Sequence, residues 1–285
     1  MAAGKKVIEA DYMNKSTKQN TAELWDKLWE GSSKSPKEHH YNLLKEEQGP
    51  VWKKIKVIIE KKFSSIERLK VVELGAGMGS YSALMARQGA DVTVFDYSEE
   101  AIQEAKKFFD SMGLRLKYVL GNALDLEEGL KGMFNVSMSF GLSEHFVNKE
   151  RLMINKSHFD VLDDNGLTFI SVPNKYCIPY RIWKKKREIL KKWEFGTEIP
   201  YSRTEFRTIC RELKVENYSF IGSPFFSSLN FILPFNTWEN SLTKRFFRSR
   251  WLNPKYIKKP KETWLDQYFG YALILCAEKG QEFST

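Results

Sequence analysis

The chain has 285 residues, 42% hydrophobic and 14% aromatic, enough for the core of one α/β domain with additions or of two small domains. Its formal net charge of +9 points to an anionic partner, while three widely spaced cysteines and four histidines without ligand spacing argue against a disulfide framework and a metal site. The longest apolar run, 268–277, is about half of the ~20 residues a membrane span needs, and the N-terminus lacks an apolar signal-type stretch, so a soluble, cytoplasmic chain is expected.

Residues 1–66 read as a helical cap. Leu24, Trp25, Leu28 and Trp29 fall on one helical face, and Val51, Ile55, Ile58, Ile59 and Phe63 on another. His39 and His40 sit between these helices, where an exposed helix start and a substrate-facing position are both open. The stretch 71–82, VVELGAGMGSYS, follows: a short apolar strand, glycines at 75, 77 and 79, and a helix-compatible run. Such a turn lets the backbone approach a ligand closely, and the helix start behind it offers unpaired N–H groups. The dinucleotide spacing G-x-G-x-x-G would need glycine at position 80, where this chain has Ser80. Strand 90–96 then ends on Asp96, and helix 98–112 begins with Ser98 as N-cap and two glutamates in its first turn. Strand 115–123, strand 134–140, helix 149–162 and strand 167–173 complete an α/β rhythm that predicts a doubly wound, mostly parallel sheet. Ligands of such sheets bind at the carboxyl ends of the strands, where Gly75, Asp96, Asn122 and Gly141 fall together.

The pattern E-x-G-x-G-x-G from Glu73, with the acid Asp96 closing the next strand, resembles the class I S-adenosylmethionine-dependent methyltransferases. The resemblance covers roughly 68–173 by motif and the strands near 215 and 268 by topology, and it implies S-adenosylmethionine as cofactor and a seven-stranded sheet. In the family the glycine loop packs on the aminoacyl part of the cofactor, so Glu73, Gly75, Ala76, Gly77 and Gly79 would cradle it. Asp96, followed by Tyr97, would hold the ribose hydroxyls, since a carboxylate accepts two hydrogen bonds from a diol. Asn122, Ala123 and Leu124 would border the adenine; the family usually has aspartate where Asn122 stands, and the asparagine carbonyl can still accept from the adenine amine. Phe140 and Gly141 would flank the methyl path. The segment AELWDKLWEGSSK is similar to the W-x-x-x-W lead-in that lids such sites, which brings in Trp29, although core packing alone would also explain both tryptophans.

After the fourth strand, G-x-x-E-H-F is similar to the G-V-L-E-H-F of ubiquinone-type O-methyltransferases and to the F-E-H loop of cyclopropane fatty acid synthases. His145 could take a proton from a hydroxyl or amine, with Glu144 as the second candidate; both could equally brace the loop and cap the next helix. Positions 174–200 hold a lid with a basic amphipathic helix, seven Lys/Arg lying between 181 and 192, and Ile182, Ile189 and Trp193 form one stripe. Such a helix suits a membrane surface or an anionic substrate, or packs its stripe on the domain with its charges solvated. Ser202 and Glu205 open another helix, and strand 215–222 leads to an insertion, 223–265, that is apolar and aromatic first and basic after. An apolar cap over a greasy substrate or a homodimer contact would account for the apolar half. The final strand is expected over 268–280.

The expected organisation is therefore a cap, 1–66, and a methyltransferase domain, 67–285. The expected reaction is methyl transfer to an O or N nucleophile of a small, apolar or lipid-linked acceptor, with peripheral membrane contact through 181–193 and 223–265. Two other readings stay open: a lipid carbon methyltransferase of cyclopropane-synthase type, and a non-catalytic S-adenosylmethionine-binding protein. Nucleic acid is not an expected partner, because SFGL stands where base-amino methylases carry N/D-P-P-Y/F.

Overall fold

Runs of apolar and β-branched residues build the parallel part of the sheet: β1 (Lys70–Leu74), β2 (Asp91–Asp96), β3 (Lys117–Leu120), β4 (Phe134–Phe140) and β5 (Leu162–Pro173). This computed structural model describes residues 20–30, 36–232 and 262–280; the rest of the expected cap and positions 233–261 of the expected insertion lie outside them. β6 (Tyr218–Gly222) and β7 (Ala272–Glu278) complete seven strands in the order β3-β2-β1-β4-β5-β7-β6, with β7 antiparallel to both neighbours. The doubly wound, mostly parallel sheet implied by the α/β alternation is present. β1 lies between β2 and β4, with Val71 opposite Val92 on one side and Val136 on the other, so its backbone is paired along both edges.

Among the described residues, eight helices of eight residues or more frame the sheet: α1 (Ala22–Glu30), α2 (Pro36–Glu47), α3 (Pro50–Phe63), α4 (Ser80–Arg87), α5 (Glu99–Ser111), α6 (Asn148–Asp160), α7 (Ile178–Ile189) and α8 (Arg203–Glu212). Alternation along the strands divides the core. Val71, Val136, Phe169 and Ile274 pack with Trp52, Ile55 and Ile59 of α3 and Leu84 of α4, whereas Ile170, Val172, Leu273 and Leu275 pack with Phe159 of α6 and Phe206 of α8. The third helix of the expected cap thus forms part of the domain core. Its Lys54 is buried: Nζ donates to Gly222 O at 2.9 Å and pairs with Glu262 at 3.2 Å, while Gly222 N–H also donates to Glu262.

Several predicted boundaries move, for physical reasons. The edge strands are shorter than expected, β3 over 117–120 rather than 115–123 and β6 over 218–222 rather than 215–222, because each pairs on one side only. β5 begins at Leu162, since Leu162 pairs with Phe134 before a bulge and the helix before it ends at Asp160. β7 starts at Ala272, not 268, because Thr263 and Asp266 form a capping box that opens a helix over Trp264–Phe269. His39 and His40 lie inside α2 rather than between helices, and His39 is buried edge-on against Phe108 while His40 is exposed.

Candidate active site

The turn between β1 and α4 is set by two glycines. Gly79 is the N-cap of α4 with φ +69, and a Cβ there would lie 2.8 Å from Val94 Cγ1. Gly77, at φ +52, lies directly under the indole of Trp29, which would collide with any side chain at that position. Trp29 covers the loop at Gly77 and stands in the wall of the cavity described below. Glu73 Oε2 accepts from Ser82 N–H at 2.9 Å and Ser82 Oγ–H at 2.7 Å, which ties the strand end to the first turn of α4. Burial outweighs these bonds and pushes its carboxyl up to about 7.

Asp96 at the end of β2 spans two backbone groups: Oδ2 accepts from Gly77 N–H at 2.8 Å and Oδ1 from Ser98 N–H at 3.0 Å. Burial raises its pKa, those N–H donors lower it, and nearby Asp26 raises it again. Asp26 in turn accepts from Ser98 Oγ–H at 2.6 Å, joining α1 to the start of α5. After β3, Asn122 Oδ1 accepts from Leu124 N–H at 2.9 Å and so shapes the loop Gly121–Ala123.

One cavity of about 1120 Å³ joins these strand ends. Trp29, Glu73, Gly75, Ala76, Gly77, Gly79, Asp96, Tyr97, Asn122, Ala123, Leu124, Phe140, Gly141 and His145 all line it. Glu144 does not. It is buried behind the wall, with Oε2 free of any hydrogen bond among the described residues. Burial and the neighbouring Glu198 hold its pKa well above the usual carboxylate range, against the opposing pull of Arg151. Its backbone O accepts from Ile199 N–H at 2.8 Å, so the residue fixes the loop that carries His145.

His145 stands edge-on to Trp25, with ring centroids 4.9 Å apart. Its Nδ1 lies 2.7 Å from Thr197 O and donates to it, which leaves the lone pair on Nε2. Burial lowers its pKa to about 4, so the ring is neutral at physiological pH. Tyr81 and Phe140 stack at 3.5 Å and 9° in the cavity wall. Asn20 locks the lid: Nδ2 donates to Thr197 O at 2.9 Å and His145 O at 3.2 Å, while Oδ1 accepts from Thr197 N–H at 2.9 Å. Sequence reasoning missed Asn20, Tyr81 and Thr197; only Tyr81, on the turn after the glycine loop, carried a signal in its position.

Two buried carboxyls in one cavity suit a ligand that brings positive charge and a diol, because burial makes ionisation costly unless a counter-charge arrives. The residues present fit S-adenosylmethionine in that respect.

Residues 71–166 match the family described as "Methyltransferase domain". Similar curated relatives are the ubiquinone biosynthesis O-methyltransferases of Rickettsia prowazekii, 26% identical over 43% of this chain and 48% of that protein, and of Pelagibacter ubique, 26% identical over 64% and 74%. The match to the first of these thus takes in about half of that relative's length. The solved structure of magnesium protoporphyrin IX methyltransferase from Synechocystis PCC 6803 with bound SAH superposes with a TM-score of 0.54, over 96% of this chain and 100% of that one, at 14% identity. At that identity the likeness is one of fold.

Proposed function

We propose that this class I S-adenosylmethionine-dependent methyltransferase transfers its methyl group to a hydroxyl oxygen of a small, apolar acceptor. The cofactor, when bound, supplies an electrophilic methyl group on a sulfonium centre. Gly75, Ala76, Gly77 and Gly79 would form the floor under it, Glu73 would face its positive charge, Asp96 its ribose, and Asn122, Ala123 and Leu124 its adenine. Trp29 and the Asn20 tie would close the site and exclude water. Most of the acceleration then comes from holding the acceptor in line, worth up to ~7–11 kcal/mol in favourable cases.

The observation that carries the choice of oxygen is the neutral imidazole of His145 in the wall beside Gly141. An alkylated hydroxyl is a strong acid, so a base held near about 4 can take its proton. An alkylated amine is a far weaker acid, and such a base would not deprotonate it. The stacked Tyr81–Phe140 pair and Trp25 present flat apolar walls, which favour an apolar, ring-bearing acceptor. Glu144, closed off behind Gly141, acts as a positioning residue.

The test is an incubation of the protein with methyl-labelled S-adenosylmethionine and an extract of its source cells, followed by partition. Label should enter the organic phase and stay there through an acid wash, and His145→Gln should lower kcat by about 10²–10⁴-fold. Label drawn into the acid wash would identify an amine acceptor, and label in precipitated macromolecules would overturn the substrate class.

A further inference from the structure

α7 is an amphipathic helix turned inside out. Its inner side holds Tyr180, with ring centroids 5.1 Å from Phe231 and 4.7 Å from Tyr271, and the buried Lys184, whose Nζ lies 3.6 Å over the Trp193 ring. Its outer side carries Ile178, Ile182 and Ile189, exposed by 63%, 53% and 70%. At 3.6 residues per turn these three fall within an arc of about 40°. Exposed Arg181 and Lys185 border the arc on one side and exposed Lys186 on the other, and Lys191 and Lys192 extend the charge past the helix end. Arg181, Lys186, Lys191 and Lys192 have no ion pair among the described residues. The sequence allowed the stripe to pack on the domain; the structure places its isoleucines in solvent instead.

The geometry points to the outer face of α7 as a docking surface for an anionic lipid bilayer. A stripe of aliphatic side chains framed by cations matches acyl chains below and anionic headgroups beside them. A second copy of this chain is a poorer fit, because a two-fold contact would set each copy's cations against the other's. RNA would meet the phosphate-binding charge but leave the isoleucines idle, since they neither stack nor hydrogen-bond. The chain's own 233–261 is no better a cover. By sequence it holds eight lysines and arginines against one glutamate, the same sign as the helix, and would add to the same positive field. The described residues just before it sit beside α7, where Phe231 packs on Trp183 at 5.3 Å. The docking surface goes beyond the chemistry proposed above and does not depend on it.

The test is flotation of the full chain with vesicles of phosphatidylcholine alone and of phosphatidylcholine containing about one-third phosphatidylglycerol. Binding is expected to the anionic vesicles, weakening as salt shortens the screening length. The triple variant I178S/I182S/I189S, all at exposed positions, should lower the partition coefficient by about tenfold or more with unchanged Tm and cofactor affinity. The pair K185Q/K186Q should reduce the preference for anionic lipid. No binding to either vesicle, or binding that the triple variant leaves unchanged, overturns the proposal. If the triple variant instead shifts the oligomeric state and vesicles are not bound, the face joins copies of this chain. Cofactor binding and methyl transfer in detergent-free solution are read separately, so failure here leaves the methyl-transfer chemistry standing and failure there leaves the docking surface standing.

Discussion

Glu73 should make cofactor affinity depend on pH in a window where nothing else in the glycine loop is expected to titrate. Its carboxyl is held at about 7 by burial, so at pH 5.5 about 3% of the protein carries the ionised form and at pH 7 about half. If the positively charged cofactor needs the carboxylate, its affinity rises about 16-fold between those values, or ~1.6 kcal/mol. The His145 ring, at about 4, stays neutral throughout and does not contribute. Isothermal titration in buffers of different ionisation heat should find close to one proton released per cofactor at pH 6. The sign for folding alone is opposite. The native carboxyl keeps its proton up to about 7 while the unfolded one loses it near 4.5, so this group's contribution to apo stability is lost as pH rises across that interval. Glu73→Gln should flatten the affinity profile and weaken binding at pH 7 by about 10–100-fold, the worth of a charge-assisted bond. A flat wild-type profile, or the same slope in the variant, would refute the reasoning.

Three further substitutions probe the rest of the site. Asn20→Ala removes three hydrogen bonds between the lid and the wall, so cofactor dissociation in stopped flow should accelerate about 10–100-fold with little change in Tm. Gly79→Ala forces a Cβ to 2.8 Å from Val94 Cγ1 in left-handed backbone, and should cost about 1–3 kcal/mol of stability by denaturant titration. Asn122→Asp keeps the acceptor that Leu124 N–H uses, so cofactor affinity by calorimetry should stay within about threefold of wild type.

The sheet and the cradle could be read from the sequence because their signals are local. Interior parallel strands are continuous apolar runs, and Asp96, which closes β2, marks the ligand edge directly, as Asn122 does just past the edge strand β3. Gly77 and Gly79 were legible for the same reason. Asn20 was not: its partners lie 125 and 177 positions away, and nothing near it in the chain distinguishes it from any other polar residue. His39 is buried by Phe108, a residue of α5, so its environment is set by tertiary packing rather than by its neighbours in α2. For α7 the period showed a stripe but not which side would face inward. That choice was made by Tyr180 meeting Phe231 and Tyr271 from distant parts of the chain. The short helix that the capping box at Thr263 opens was not predicted, and Tyr268 and Phe269 at its end were read as strand.

The buried Lys54, bonded at once to Gly222 and Glu262, has a consequence for how such a chain can diversify. Those two residues are the exit and return of the excursion between β6 and β7, and the lysine clasps them into a neck. With the two ends of the excursion held together, lengthening the chain between them adds only the slow, logarithmic entropy of a longer loop. The excursion can therefore be exchanged like a tool head while Asp96, Glu73 and the glycine turn stay in place. Length and composition between Gly222 and Glu262 could then change at no expense to the cavity, none of whose lining residues, among the described residues, comes from that stretch.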